Sequence, residues 1–298
     1  MNGAMPRRAR SALMALLLAA AARPCPAATP AKLVAAAPPS AWKAIDPETL
    51  IVLTIDGGPP VVLQLAPRFA PVHAANVRAL VKAGWFDGAA VMRVQDNYVV
   101  QWARPGPRAS LPAAVAARPP AEYERSAAGL AFRPLGFRDS YAAETGHAEG
   151  WPAAREGGRA WLVHCYGMVG VGRDVAPDTG DGTELYAVIG QAPRHLDRNI
   201  ALVGRIVSGI ERLAAEPRGT GPLGFYRDGE RGLVIRSARL ASDMPAGTQP
   251  RFEIMDEASP AFAAWVRARA NRKDEFFIRP AGAVDICNAL PPIRQGPP

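Results

Sequence analysis

The sequence predicts a mainly β protein whose strands close into an antiparallel barrel. Three observations carry this expectation. Short apolar runs recur from residue 50 to residue 240, each bounded by Gly, Pro, Asp or Asn. Helical periodicity appears in few places. Closure into a barrel is the arrangement of many short antiparallel strands that leaves no free edge. With 49% apolar residues in 298, the chain can bury a substantial core in one domain with extensions, or at most two domains.

The elements follow in order. Arg7, Arg8 and Arg10 precede the apolar run 12–22, which ends in Ala20-Ala21-Ala22; a positive start, a short apolar stretch and small residues read as a cleavable signal peptide over 1–28. The run is too short to span a hydrocarbon core of about 30 Å as a helix, and Arg23-Pro24 before Cys25 does not make a lipobox. Residues 29–47, rich in Ala and Pro, read as a linker. Runs 50–56 and 61–65 flank Gly57-Gly58-Pro59-Pro60 as a hairpin. Pro71 can open a helix with Val72, Ala75, Ala79, Leu80 and Ala83 on one stripe, ended by Gly84. Further strands are expected at 91–94, 98–102, 162–168, 185–189, 200–207 and 233–240. Between them, 104–159 is a long insertion dense in Pro, Gly and Ala, whose scattered aromatics favour packing on the barrel. The last stretch, 243–298, has one candidate helix, with Ser259 as N-cap and Pro260 in the first turn. It is too small to fold alone and is expected to dock on the barrel.

The most informative segment runs from Gly84-Trp85-Phe86-Asp87-Gly88 through Val91-Met92-Arg93-Val94 to Tyr98-Val99-Val100-Gln101. Strand alternation places Arg93 on the face of Val91, and Gln101 on the face of Val99. A cation and an amide then project from an otherwise apolar hairpin beside Tyr98. This pattern resembles the signature of cyclophilin-type peptidyl-prolyl cis-trans isomerases, in which an arginine is followed by an aromatic five residues on and a glutamine eight residues on. Gly167-Met168, the run Gly182-Thr183-Glu184-Leu185-Tyr186, and His195-Leu196-Asp197 with the strand after it resemble later segments of the same family, in the same order. The resemblance is nearest to the secreted bacterial branch and covers about 48–105 and 160–241.

The resemblance implies an eight-stranded barrel with capping helices in a domain over 48–242, and isomerisation of X-Pro bonds in exported proteins. It implies catalytic roles for Arg93 and Gln101, and a substrate pocket of Tyr98, Val99, Met168, Val169, Tyr186, His195 and Leu196. It implies no cofactor and no metal. Several positions depart from the family: Val169-Gly170 stands for Ala-Asn, Glu184 for glutamine, His195 for tryptophan, and Ile200 for a pocket histidine. A peptide-binding chaperone or scaffold that keeps the fold without the rate is the alternative. The expected partners are proline-containing segments of exported proteins, in a periplasmic or secreted location. Oligomeric state is left open.

Other chemistries find little support. The net charge of +8 is scattered rather than gathered into a nucleic-acid face. No second apolar run is long enough for stable membrane insertion. His73, His147, His164 and His195 lack metal-ligand spacing. His164 and Cys165 are adjacent in a strand-like run, so their side chains diverge and cannot form a nucleophilic pair. For Cys165 a buried free thiol is the usual reading, with a disulfide to Cys287 left open.

Overall fold

The computed structural model describes residues 28–107, 109–191 and 193–297; the expected signal peptide and Cys25 lie outside them, save Ala28. Eight strands form the central sheet: β1 Leu50–Ile55, β2 Val61–Leu65, β3 Ala90–Val94, β4 Val99–Ala103, β5 Met168–Val171, β6 Glu184–Val188, β7 Leu202–Ser208 and β8 Ile235–Leu240. Their order is β8-β1-β2-β7-β5-β6-β4-β3, antiparallel throughout. The two outer strands nearly meet: Val91 N donates to Leu233 O, Ile235 N donates to Ala89 O, and Arg93 bridges Phe225. The result is the mainly β, nearly closed eight-stranded barrel that the sequence predicts. Inward residues of alternate parity, such as Leu53, Leu63, Trp102, Val169 and Leu185, fill its interior.

Four α-helices are present among the described residues: α1 Pro30–Ala35, α2 Pro71–Lys82, α3 Ile210–Ala214 and α4 Pro260–Ala270. Helix α2 starts at the expected proline, but its buried face is His73, Ala74, Asn76, Val77, Leu80 and Val81, not the predicted alanine stripe. Polar partners explain the rotation. The insertion supplies Glu122 to the His73 ring at 2.7 Å and the Ala116 carbonyl to Asn76 at 2.8 Å, so two polar side chains turn inward and Ala75 turns out.

The expected strand 162–168 is two strands. Leu162 ends Arg159–Leu162 of a second sheet, Met168 opens β5, and a turn at Cys165-Tyr166-Gly167 separates them. Gly167 at φ +81 permits that turn. The second sheet occupies the insertion. Its five strands run in the order Arg125–Ser126, Arg159–Leu162, Trp151–Glu156, Glu144–Ala148, Phe132–Pro134. It packs on the barrel through Trp151, Trp161, Phe69, Met168 and Leu202. At this junction Arg205 of β7 is buried, bonded to Gln64 at 2.7 and 2.9 Å and to the Gly150 carbonyl at 2.7 Å, with its guanidinium 4.2 Å from the Trp151 ring. Burial pulls its pKa down to about 9, and the delocalised cation is the kind that tolerates such a place.

A third sheet joins the two ends of the chain. Trp42–Ala44, from the segment expected as a linker, pairs with Phe252–Met255, which pairs in turn with Ile293–Gln295. The C-terminal segment is further tied by a disulfide between Cys165 and Cys287, so Cys165 is buried as expected but is not a free thiol.

His147, in the second sheet, bonds the Ala289 carbonyl at 2.7 Å through Nε2 and meets Phe262 edge-on at 4.9 Å. Burial lowers its pKa to about 4. A histidine held neutral in the fold leaves the unfolded chain to take up a proton first. Its contribution is therefore intact above about pH 6.5 and lost as pH falls towards 4, roughly 3 kcal/mol in all. Urea melts from pH 7.5 to 4.5 should show this loss, and a variant carrying His147→Gln should have a shallower acid slope.

Candidate active site

The Arg93 side chain reaches the outer face of the barrel by a bulge. Val91 pairs with the inward Trp102 and Arg93 pairs with the outward Gln101, so β3 uses two residues where β4 uses one. Val91 and Arg93 therefore lie on opposite faces, contrary to simple alternation, because a bulge re-aims one side chain.

The guanidinium is anchored on every nitrogen. Nε donates to the Leu223 carbonyl at 2.7 Å, Nη1 donates to Gln101 Oε1 at 3.0 Å, and Nη2 donates to Gln95 Oε1. Two of the five N–H groups of an arginine are then left on the Nη atoms. Phe225 and Tyr98 lie 5.1 and 5.6 Å from the guanidinium carbon. Burial lowers the Arg93 pKa, while Tyr98 and Glu184 oppose that shift; arginine remains a cation at any pH the fold meets. Gln101 is oriented from its other end, where Nε2 donates to Glu184. Burial raises the Glu184 carboxyl above its usual range.

Beside the arginine, Val99, Tyr186 and Val188 form a buried apolar cluster, with Tyr98 and Ile200 packed against it. His195 is exposed and lies parallel to the Tyr98 ring, centroids 5.9 Å apart and planes within 2°. Leu196 is half-buried in the same short helix, Arg194–Leu196. The structure thus brings together Arg93, Gln101, Tyr98, Val99 and Tyr186, with His195 at the rim.

Two expected pocket residues lie elsewhere. On β5, Met168 faces the second sheet and Val169 faces the barrel interior, both buried away from the cluster around Arg93. Strand parity is the reason: Gly170 is the β5 residue that pairs with Tyr186. A Cβ on Gly170 would stand 2.2 Å from the Tyr186 hydroxyl oxygen, so glycine here makes room for tyrosine there.

That hydroxyl leads into a buried polar chain which spacing in the sequence did not reveal. His164 Nε2 is 2.9 Å from the Tyr186 hydroxyl, and His164 Nδ1 is 2.9 Å from Asp197. Arg194 then donates to Asp197 at 2.6 Å and, through both Nη atoms, to Asp139 of the insertion at 2.8 and 2.9 Å. Burial lowers the His164 pKa, against the pull of Asp197. With Nδ1–H given to the carboxylate, Nε2 accepts from the tyrosine hydroxyl, and the two rings lie within 9° of parallel. Histidine within an apolar run was the one available hint. Among the described residues no group of three His, Cys, Asp or Glu could hold a metal ion.

Comparison with known proteins points to one family and one fold. The family model described as cyclophilin type peptidyl-prolyl cis-trans isomerase/CLD matches residues 50–218, more than half of the chain. Probable peptidyl-prolyl cis-trans isomerases of Brucella suis biovar 1 and Brucella melitensis biotype 1 are each 38% identical over 58 residues, 20% of this chain and 29% of theirs. The matched stretch thus spans under a third of these curated relatives. The crystal structure of cyclophilin AquaCyp293 from Hirschia baltica superposes with a TM-score of 0.64 at 20% identity, covering 85% of this chain and 93% of that one; at that identity it shows the fold. Leu223 and Phe225, which hold Arg93 from outside, lie beyond the matched residues. The chain belongs to the cyclophilin-type peptidyl-prolyl cis-trans isomerase family.

Proposed function

We propose that this protein isomerises X-Pro bonds in exported polypeptides. The observation that carries the reading is Arg93, fixed on all three nitrogens and facing outward beside an apolar cluster. Rotation about an X-Pro bond needs no nucleophile, metal or proton transfer. The barrier of about 18–20 kcal/mol is amide resonance, and the catalyst has only to bind the twisted amide better than the planar one. The two remaining N–H groups of Arg93 hold the substrate carbonyl and favour a pyramidal prolyl nitrogen. Gln101 orients Arg93, with Glu184 behind it. Tyr98, Val99 and Tyr186 wall the proline ring, and His195 and Leu196 line the rim. Bringing an event of roughly a hundred seconds to milliseconds requires about 7 kcal/mol of differential binding.

Magnetisation-exchange NMR on an Ala-Pro peptide tests the activity. Exchange no faster than in buffer, with peptide still bound, would instead identify a non-catalytic peptide binder. Export rests on the arginines and apolar run that open the sequence, and it places the clients in the periplasm or outside the cell. The natural protein should therefore begin between Arg23 and Thr29 by N-terminal sequencing, whereas a chain recovered from the cytoplasm with Met1 in place would refute export.

A further inference from the structure

The turn after α4 presents apolar side chains that nothing among the described residues covers. Phe276 and Ile278 are 82% and 84% exposed. They are not on a loose strand. The Asp274 carboxylate accepts from the backbone N–H of Phe276 and of Phe277, each at 3.0 Å, and from Arg272 Nε at 2.9 Å. The Asp274 N–H closes the turn on the Phe277 carbonyl at 3.2 Å. Phe277 meets Phe276 edge-on at 5.1 Å, and the Arg272 guanidinium covers its ring at 4.1 Å.

A cavity of about 330 Å³ adjoins this tip, and Arg269, Arg272 and Arg279 line it together with Phe277 and Pro30. Arg269 is steadied by the Asn288 carbonyl at 2.8 Å. Among the described residues, Arg279 has no hydrogen-bond or ion-pair partner. The one carboxylate in the lining, Asp285, accepts from Cys287 N at 2.8 Å. Lys273 and Glu275, also in the turn, offset one another in charge. Pro30, at the start of α1, lies in the same lining.

We propose that this turn is a docking site for an anionic phospholipid surface: Phe276 and Ile278 enter the acyl boundary, and the arginine-lined cavity takes a phosphate headgroup. Exposed apolar side chains beside an arginine-lined cavity suit the two layers of a bilayer face, hydrocarbon and phosphate. Two protruding side chains give shallow, reversible attachment that depends on the basic collar, since neither contribution suffices alone.

The test uses the exported chain, without its leader, bearing Phe276→Trp. All six native tryptophans are buried, at 7% exposure or less, so the added indole is the one in contact with solvent. Vesicles of phosphatidylglycerol and phosphatidylethanolamine should blue-shift its emission, and acyl-brominated phosphatidylglycerol should quench it, while pure phosphatidylcholine vesicles do little. Adding Arg279→Glu should weaken the apparent affinity at least about tenfold, with Ile278→Ser acting in the same direction. Both variants should keep the isomerase rate and melting midpoint of the parent. Emission that anionic vesicles leave unmoved, or quenching indifferent to Arg279→Glu, overturns the proposal; a tip that ignores vesicles but is shielded by a protein partner belongs to the same refutation.

Discussion

Replacing Arg93 with alanine should slow peptide isomerisation about a hundredfold, a loss of roughly 3 kcal/mol of transition-state stabilisation. The side chain is half-buried and outward, so its removal leaves the barrel interior untouched. Gln101 and Gln95 each lose one partner, while Gln101 keeps Glu184. Arg93→Lys should restore little: an ammonium on a flexible stem cannot serve Leu223, Gln101 and Gln95 at once and still present two N–H groups to substrate. Peptide binding should fall much less than rate, because Tyr98, Val99 and Tyr186 still grip the ring. The deciding measurement is exchange NMR beside calorimetric binding, with circular dichroism to confirm folding. An Arg93→Ala variant as fast as wild type would remove arginine from the mechanism.

Loss of the disulfide should be among the changes that cost the fold most stability. Cys165 and Cys287 are 122 residues apart, and closing a loop of that size restricts the unfolded chain by about 5 kcal/mol in the chain-entropy account, with typical measured values of 2–4 kcal/mol. The paired variant Cys165→Ala, Cys287→Ala should melt roughly 10 °C lower, and wild type in strong reductant should follow it. Hydrogen exchange should locate the first opening at 284–295, which the bond ties to the turn following His164. A melting midpoint insensitive to reductant would show that packing of Ile286 and its neighbours alone secures the strap.

Much of the barrel and half of its site were legible because the relevant information is local. Arg93, Tyr98 and Gln101 sit within one hairpin, so their spacing in the chain is nearly their spacing in space. Met168 and Val169 were misplaced because adjacent strand residues face opposite ways, and neither faces Arg93. The bulge at Arg93 was invisible for the converse reason: alternation assumes a register that one extra residue breaks. The second sheet escaped notice because Glu144–Ala148 and Trp151–Glu156 are rich in Gly, Ala, Pro and charged residues and show no alternating pattern; burial against Trp161 and Phe69 overrides their weak strand preference. The chain from Tyr186 through His164, Asp197 and Arg194 to Asp139 joins residues scattered over the sequence. Only tertiary contact brings such groups together.

The third sheet sets an order on the birth of the protein. Trp42–Ala44 is among the first described segments to leave any conduit, ribosomal or membranous, yet its only ladder partner among the described residues is Phe252–Met255, itself flanked by Ile293–Gln295. Cys165 likewise waits for Cys287. The barrel strands can pair while synthesis or transit continues, but the early segment stays without its neighbour until residues 252–255, some two hundred positions later, have emerged. Contacts so distant in sequence are slow to form, and during that interval the exposed edge and the unpaired thiol are open to other chains. Completion of the fold is therefore timed by the arrival of residues 252–295.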